Sequence, residues 1–279
     1  MISIVTDSSA CVKATDADAL GVRIAPMSYT AGDRVYSEFY SDTNGDFESL
    51  LRDQAPLSTA HPNPSAFLKC FEKELAAGND VLCLTISARL SGAYSAANMA
   101  ARQSASDRIA VLDSRLIAGG LWLLIQQARQ WINGGMPMPE LLEQLTERRN
   151  RIRMAFTVDD IAPLRKSGRM DFVRMSLSTV LNIKPILLLR DGVIVSGGTA
   201  RSSADIITQL TRSVLTGECP SGEKKIVINY LGATRLASNL YTVLNQRYPD
   251  AAMSIHKIGP VLRIHLGAQV AAVSCDDLS

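Results

Sequence analysis

Val81-Leu82-Cys83-Leu84-Thr85-Ile86-Ser87-Ala88-Arg89-Leu90-Ser91-Gly92-Ala93-Tyr94-Ser95-Ala96-Ala97 is the stretch whose reading decides the fold. It begins as a short apolar run bounded by Gly78-Asn79-Asp80, the pattern of a buried strand. It ends in Ala-rich sequence, a good helix former. The loop between carries the hydroxyls of Thr85, Ser87 and Ser91 and the glycine Gly92. A strand running into a helix through such a loop sets hydroxyls beside the free N–H groups of a helix N-terminus, a ready anion site. Taken alone, Ser91 reads as the N-cap of that helix and Gly92 as relief of crowding.

The same rhythm recurs on either side. Residues 2–5 read as a strand followed by the turn Thr6-Asp7-Ser8-Ser9, and a helix begins near Thr15 or Asp16. Residues 22–27 read as a second strand, 29–44 as a polar, turn-rich excursion from the sheet, and 46–53 as a short helix. Residues 57–65 read as a loop, from which Pro64-Ser65 open a helix carrying Phe67, Leu68, Phe71 and Leu75. Residues 109–112 form another strand ending in Asp113-Ser114, and helices follow over 116–132 and 139–149, separated by Gly134-Gly135. Apolar strands alternating with helical crossovers indicate a largely parallel α/β sheet. Its functional rim lies where the strands end: Asp7-Ser8-Ser9, Thr59, the Ser87–Ser91 loop and Asp113-Ser114.

Beyond residue 150 the pattern changes. Residues 154–158 read as a strand, 164–169 as a basic turn, and 183–189 with 193–196 as a hairpin about Asp191-Gly192. A helix over 203–215, a strand over 226–230, a helix over 233–246 and closing strands over 253–257 and 270–274 complete a mixed-sheet α+β unit. We expect two domains, 1–152 and 153–279, with the binding site in the cleft between them.

Composition narrows the function. Twenty-nine Lys and Arg against 27 Asp and Glu give a net charge of +2, with no basic run to track nucleic-acid phosphates. The apolar start, Met1 to Val5, is cut off at once by Thr6-Asp7, so no export signal is expected. Residues 116–132 are too short and too polar to span a bilayer, and the expected location is cytoplasmic. The five cysteines have no CxxC spacing, which fits reduced thiols. There is no GxGxxG, no GxxxxGKS/T and no pair of histidines at ligand spacing, so neither a nucleotide cofactor nor a metal is expected. A GxSxG elbow is also absent, although a hydrolase built from Ser91, His265 and Asp7 or Asp113 is an alternative reading.

Read together, the motifs point further. Val5-Thr6-Asp7-Ser8-Ser9, Ser58-Thr59-Ala60-His61-Pro62, Ser87-Ala88-Arg89-Leu90-Ser91-Gly92 and Leu112-Asp113-Ser114 are followed in order by Arg165-Lys166-Ser167-Gly168-Arg169, Lys184-Pro185, Asp191-Gly192, Arg201, Gly259-Pro260 and His265-Leu266-Gly267. This series closely resembles the DegV family and covers nearly the whole chain. The resemblance implies a two-domain α/β protein holding one long-chain fatty acid, such as palmitate, stearate or oleate, between its domains. It implies no catalysis by the chain itself, which would instead present the acyl carboxylate to a separate ATP-dependent kinase subunit for acyl-phosphate formation. Lipid exchange would involve peripheral membrane contact. Carried over residue by residue, Thr59 and Ser91 contact the carboxylate, Arg169 and His265 lie near the head group, and Arg201 faces the kinase. Asp7, Ser8, Gly92 and Asp113 form a supporting rim. A serine esterase or acyl-transfer enzyme using Ser91 and His265, and a lipid-sensing regulator, are the competing readings.

The chain departs from the family pattern at four places. Ser91-Gly92-Ala93 stands for Ser-Gly-Thr, and Thr59-Ala60-His61-Pro62 for Thr-Ser-Gln-Pro. His265-Leu266-Gly267-Ala268-Gln269 stands for His-x-Gly-Pro-Gly, and Ser202-Ser203-Ala204-Asp205 replaces a basic run after Arg201. The chemistry of the assignment is sound: a buried carboxylate must be hydrogen-bonded or it neutralises, and hydroxyls with a nearby cation supply those bonds.

Overall fold

The computed structural model describes residues 1–43, 45, 47–53, 56–169, 183–215 and 224–277. Along these the strands are β1 Ile2–Asp7, β2 Val22–Ala25, β3 Met27–Ala31, β4 Arg34–Glu38, β5 Leu57–Ala60, β6 Asp80–Thr85, β7 Ile109–Asp113, β8 Arg153–Val158, β9 Lys184–Arg190, β10 Val193–Ala200, β11 Lys224–Leu231, β12 Ala252–Lys257 and β13 Val270–Asp277. The helices are α1 Ala14–Ala19, α2 Phe47–Arg52, α3 Pro64–Ala76, α4 Ala93–Ser104, α5 Ala118–Asn133, α6 Met138–Arg148, α7 Ala162–Ser167, α8 Ser203–Val214, α9 Thr234–Arg247 and α10 Pro260–Leu266, with one 3-10 turn at Ser8–Ala10.

Three sheets result. The first has order β2-β1-β6-β7 and is wholly parallel, as the alternation of apolar strands and crossover helices requires. The second has order β10-β9-β8-β13-β11-β12 and is mixed: only β11 and β12 run parallel. It begins at Arg153 and contains the hairpin expected about Asp191-Gly192, whose positive φ values of 48° and 80° suit a tight hairpin turn. The third is a small antiparallel sheet, β4-β3-β5.

Helix α5 holds the two large sheets together. Its sequence is apolar on almost every side through Leu121-Trp122-Leu123-Leu124-Ile125, the signature of a helix buried all round. It packs on β1 and β6 of the first sheet and on β11 and β13 of the second. Close approach at its N-terminus depends on Gly119, where a Cβ would sit 2.8 Å from Val227 and 2.5 Å from the Asn229 Oδ1 that accepts the Gly119 N–H. One hydrophobic cluster therefore runs continuously from Ile4 and Leu82 through α5 to Phe156 and Val270. A second lies on the far face of the six-stranded sheet under α8 and α9.

Several local expectations are corrected. Residues 29–44 and 57–65 are not merely excursion and loop, because they supply β3, β4 and β5. Met27, Tyr29 and Ala31 are buried while Ser28 and Thr30 between them are partly exposed; polar residues at alternate positions mark a strand with one face on the core. The strand expected over 22–27 is broken at Pro26, which cannot donate to the ladder. The basic turn at 164–169 is the short helix α7, opened by Pro163 and stopped by Gly168 at φ 67°. Helix α10, started by Gly259-Pro260, was not expected. The N-cap of α1 is Lys13, not Thr15 or Asp16. Asn44 and Asp46, where two expected segments meet, lie outside the described residues. Among those described, no helix is long and apolar enough to cross a membrane, and no group of three His, Cys, Asp or Glu side chains could hold a metal ion.

Candidate functional site

A cavity of about 300 Å³ opens where the first sheet, the small sheet and the six-stranded sheet meet. Thr59, Ser91, Arg169 and His265 all line it, although they come from β5, the β6–α4 loop, the end of α7 and α10. Apart from His61, the rest of the wall is apolar, with Ile86, Ile117, Ile194, Leu262 and Leu266 prominent. Four of its residues, Ile117, Ile194, Leu262 and Leu266, also bound a narrow inner space that reaches Met154 and Phe156. On the other side, Thr59, Arg169 and His265 are shared with a wide outer groove that includes Lys166 and Arg263. Polar groups thus sit between a largely apolar inner space and an open, cationic groove.

Each polar group is held by its own local structure. Thr59 is on β5, paired with Tyr29 of β3, and its Oγ1 lies 2.8 Å from His265 Nε2. Burial first, and then the positive charge of Arg169, push the His265 imidazole down to about 4. At neutral pH it is therefore uncharged, and the cation available to a carboxylate is Arg169 rather than His265. The Arg169 guanidinium is exposed and donates to the Ser167 carbonyl that precedes the Gly168 turn.

Ser91 is not the N-cap of α4. That position is Gly92, and the Ser91 hydroxyl instead accepts from Ala93 N at 3.3 Å. Gly92 relieves crowding: a Cβ there would lie 2.7 Å from the His61 ring, so the glycine makes room for this imidazole. His61 Nδ1 bonds the Pro62 carbonyl oxygen at 2.9 Å and the ring forms part of the cavity wall. Its place as a wall residue was missed in the sequence. The signal available was its position in the Thr59-Ala60-His61-Pro62 motif, where the family pattern has glutamine.

The rim residues carry different duties. Asp7, Ser8 and Asp113 do not line the cavity. Asp7 is fully buried; it caps the 3-10 turn through Ser9 N and reaches across to Ile86 N at 2.8 Å, holding the loop after β6. Burial raises its carboxyl above the usual range against these hydrogen bonds. Asp113 accepts from Ala88 N at 3.0 Å and Arg115 N at 2.9 Å, holding the same loop from the other side. Ser87 ties the loop to the hairpin by donating to Gly192 O at 2.7 Å. Arg201 is exposed, outside the cavity, with its backbone N–H on Asp205. In the alternative hydrolase, the imidazole would face Ser91 and an aspartate; here His265 bonds Thr59, while Asp7 and Asp113 are engaged with backbone amides.

Glu38 positions α10 and hence His265. This β4 carboxylate is 2 % exposed and accepts from Val261 N at 2.6 Å, in the first turn of α10. Gly259 permits the approach, since a Cβ there would lie 2.9 Å from the carboxyl group. Burial pushes Glu38 up to about 7, against the hydrogen bonds from Val261 N and Ser8. A carboxyl raised in the folded state stabilises the fold fully below its unfolded value and loses that contribution as pH rises through about 7. Between pH 5 and 8 the wild type should therefore lose more thermal stability than Glu38→Gln, which keeps an acceptor for Val261 N but does not titrate. Parallel melting curves for the two proteins would contradict this.

A family model described as an uncharacterised protein family, DegV, matches residues 1–277. A DegV domain-containing protein of Deinococcus radiodurans is 28 % identical over 281 residues, covering 100 % of this chain and 99 % of the relative. Among solved structures, a fatty-acid-binding DegV family protein from Thermus thermophilus superposes with a TM-score of 0.89 at 25 % identity, covering 99 % of both chains. A stearic acid-binding protein from Eubacterium ventriosum shares the fold with a TM-score of 0.88 at 21 % identity, covering 99 % of this chain and 98 % of that one.

Proposed function

Because this chain belongs to the DegV family, we propose that it binds one long-chain fatty acid, with the acyl chain in the apolar cavity and the carboxylate at Thr59 and Ser91. The observation that carries this reading is a polar cluster on an apolar cavity: two hydroxyls, a neutral imidazole at His265 and one guanidinium, with the His61 ring beside them, on a wall that is otherwise apolar. Hydroxyls donate to the carboxylate, and Arg169 offsets its charge. Burying a sixteen-carbon tail contributes on the order of 10 kcal/mol gross, at about 0.8 kcal/mol per CH₂. The tail therefore supplies affinity, while the polar cluster supplies orientation. The fatty-acid ligands of the Thermus and Eubacterium proteins support the ligand class.

The same reading makes the chain a binding subunit without chemistry of its own. It presents the carboxylate at the outer groove to a separate ATP-dependent kinase, with Arg201 as a kinase-facing residue and transient membrane contact during lipid exchange. Native mass spectrometry of the purified protein should find one acyl chain per molecule. The double variant Thr59→Val/Ser91→Ala should bind oleate about a hundredfold more weakly or worse, since each of the two lost charge-assisted bonds is worth about 1.5–3 kcal/mol, yet bind methyl oleate as the wild type does. Recovery of no acyl chain, together with no binding of added oleate, would refute the reading.

A further inference from the structure

Away from the acyl site lies a second cavity of about 350 Å³ into which four arginines converge from four segments. Arg115 stands in the turn between β7 and α5, Arg149 just after α6, Arg153 at the start of β8 and Arg190 at the end of β9. Asp191 is the single acidic residue of the lining, so the cleft is cationic by about three charges among its walls. The ion pairs of the other arginines, Arg23, Arg108, Arg148 and Arg263, lie elsewhere. Leu116, Met154 and Leu188 give the cleft an apolar floor.

The arrangement is costly as it stands. Arg115 holds a left-handed backbone, φ 55°, that an L side chain seldom adopts. Arg149 is partly buried, donates from Nη1 to the Asp113 carbonyl, and has a buried Nε with no acceptor. Burial first and Arg115 second disfavour its charged form. A compact anion in the cleft would offset the crowding of positive charge about Arg149 and Arg115, because guanidinium forks match phosphate oxygens in pairs.

We propose that this arginine-lined cleft binds a small phosphorylated molecule, its phosphate held by Arg115, Arg149, Arg153 and Arg190 and its apolar part resting on Leu116, Met154 and Leu188. None of Thr59, Ser91, Arg169 and His265 takes part, so this site stands independently of the fatty-acid reading. The two cavities are back to back: Met154 lines both this cleft and the inner end of the acyl space.

Titration calorimetry of the whole chain with inorganic pyrophosphate tests the proposal. Saturable binding is expected, weakened about tenfold or more in Arg115→Gln and in Arg153→Gln and unchanged in Arg34→Gln at the exposed start of β4. Arg115 and Arg153 are both exposed, so these variants should fold, and their oleate binding should equal that of the wild type. Cosedimentation with phosphatidic acid vesicles separates a lipid headgroup from a soluble phosphate. Binding of pyrophosphate by the free chain supports the soluble ligand. Vesicle binding that needs these arginines, without pyrophosphate binding, overturns it. So does a pyrophosphate affinity that is undetectable, or equal in Arg115→Gln, Arg153→Gln and Arg34→Gln.

Discussion

Ile194→Trp is expected to reduce oleate affinity more than a thousandfold while leaving the protein folded. Ile194 lies on β10 beside the expected hairpin, is 4 % exposed, and faces both the main cavity and its narrow inner end. An indole there fills the path that an acyl chain would take. Excluding roughly six methylenes at about 0.8 kcal/mol each removes about 5 kcal/mol of burial, which exceeds anything lost by deleting one hydroxyl of the polar cluster. The cavity beside it accommodates part of the added volume, so the overpacking cost stays at about 1–3 kcal/mol. Oleate binding followed by calorimetry, with circular dichroism as the check on folding, gives the answer. An unchanged affinity in a folded Ile194→Trp protein would place the acyl chain elsewhere.

Asp7→Ala should be the most damaging single change to stability. The carboxylate accepts from Ser9 N, Ser9 Oγ and Ile86 N, all within the buried interior. Alanine leaves these donors without that acceptor, at about 1–3 kcal/mol for each buried group stranded. A total of about 3 kcal/mol lowers the melting temperature of a chain this size by roughly 6–12 °C. The damage reaches the site, because Ile86 N is the anchor of the loop carrying Ser87 and Ser91. Oleate affinity should therefore fall as well, although Asp7 is outside the cavity. Asp7→Asn retains one carbonyl oxygen and should lose less. A melting temperature for Asp7→Ala within about 2 °C of the wild type would show that water or a shifted side chain replaces the acceptor.

These two residues illustrate different degrees of visibility in the sequence. Asp7 at the end of a predicted strand was readable as a cap, because a strand followed by Asp-Ser-Ser is a local signal. Its second bond, to Ile86 N, joins positions 79 residues apart and has no local signature. Ile194 looked like an ordinary strand residue; only the fold, which sets it around one space with Ile117, Leu262 and Leu266, gives it a cavity to line. Polar stretches were misread for a related reason. Residues 29–44 seemed an excursion because half of their side chains face outward, yet β3 needs only alternate residues on the core.

The parallel first sheet, the hairpin about Asp191-Gly192, the mixed second sheet and the family were legible along the chain, since strand–helix alternation, turn chemistry and motif order are properties of neighbouring residues. The sequence also nominated Thr59, Ser91, Arg169 and His265. The three-dimensional packing was needed to show that all four share one cavity, that His61 fills the space over Gly92, and that Glu38 fixes the helix bearing His265. It alone decided that His265 is neutral, because burial and the charge of Arg169 come from chain segments distant in sequence. Charge state and shape depend on which distant groups exclude water from one another, and no local pattern encodes that.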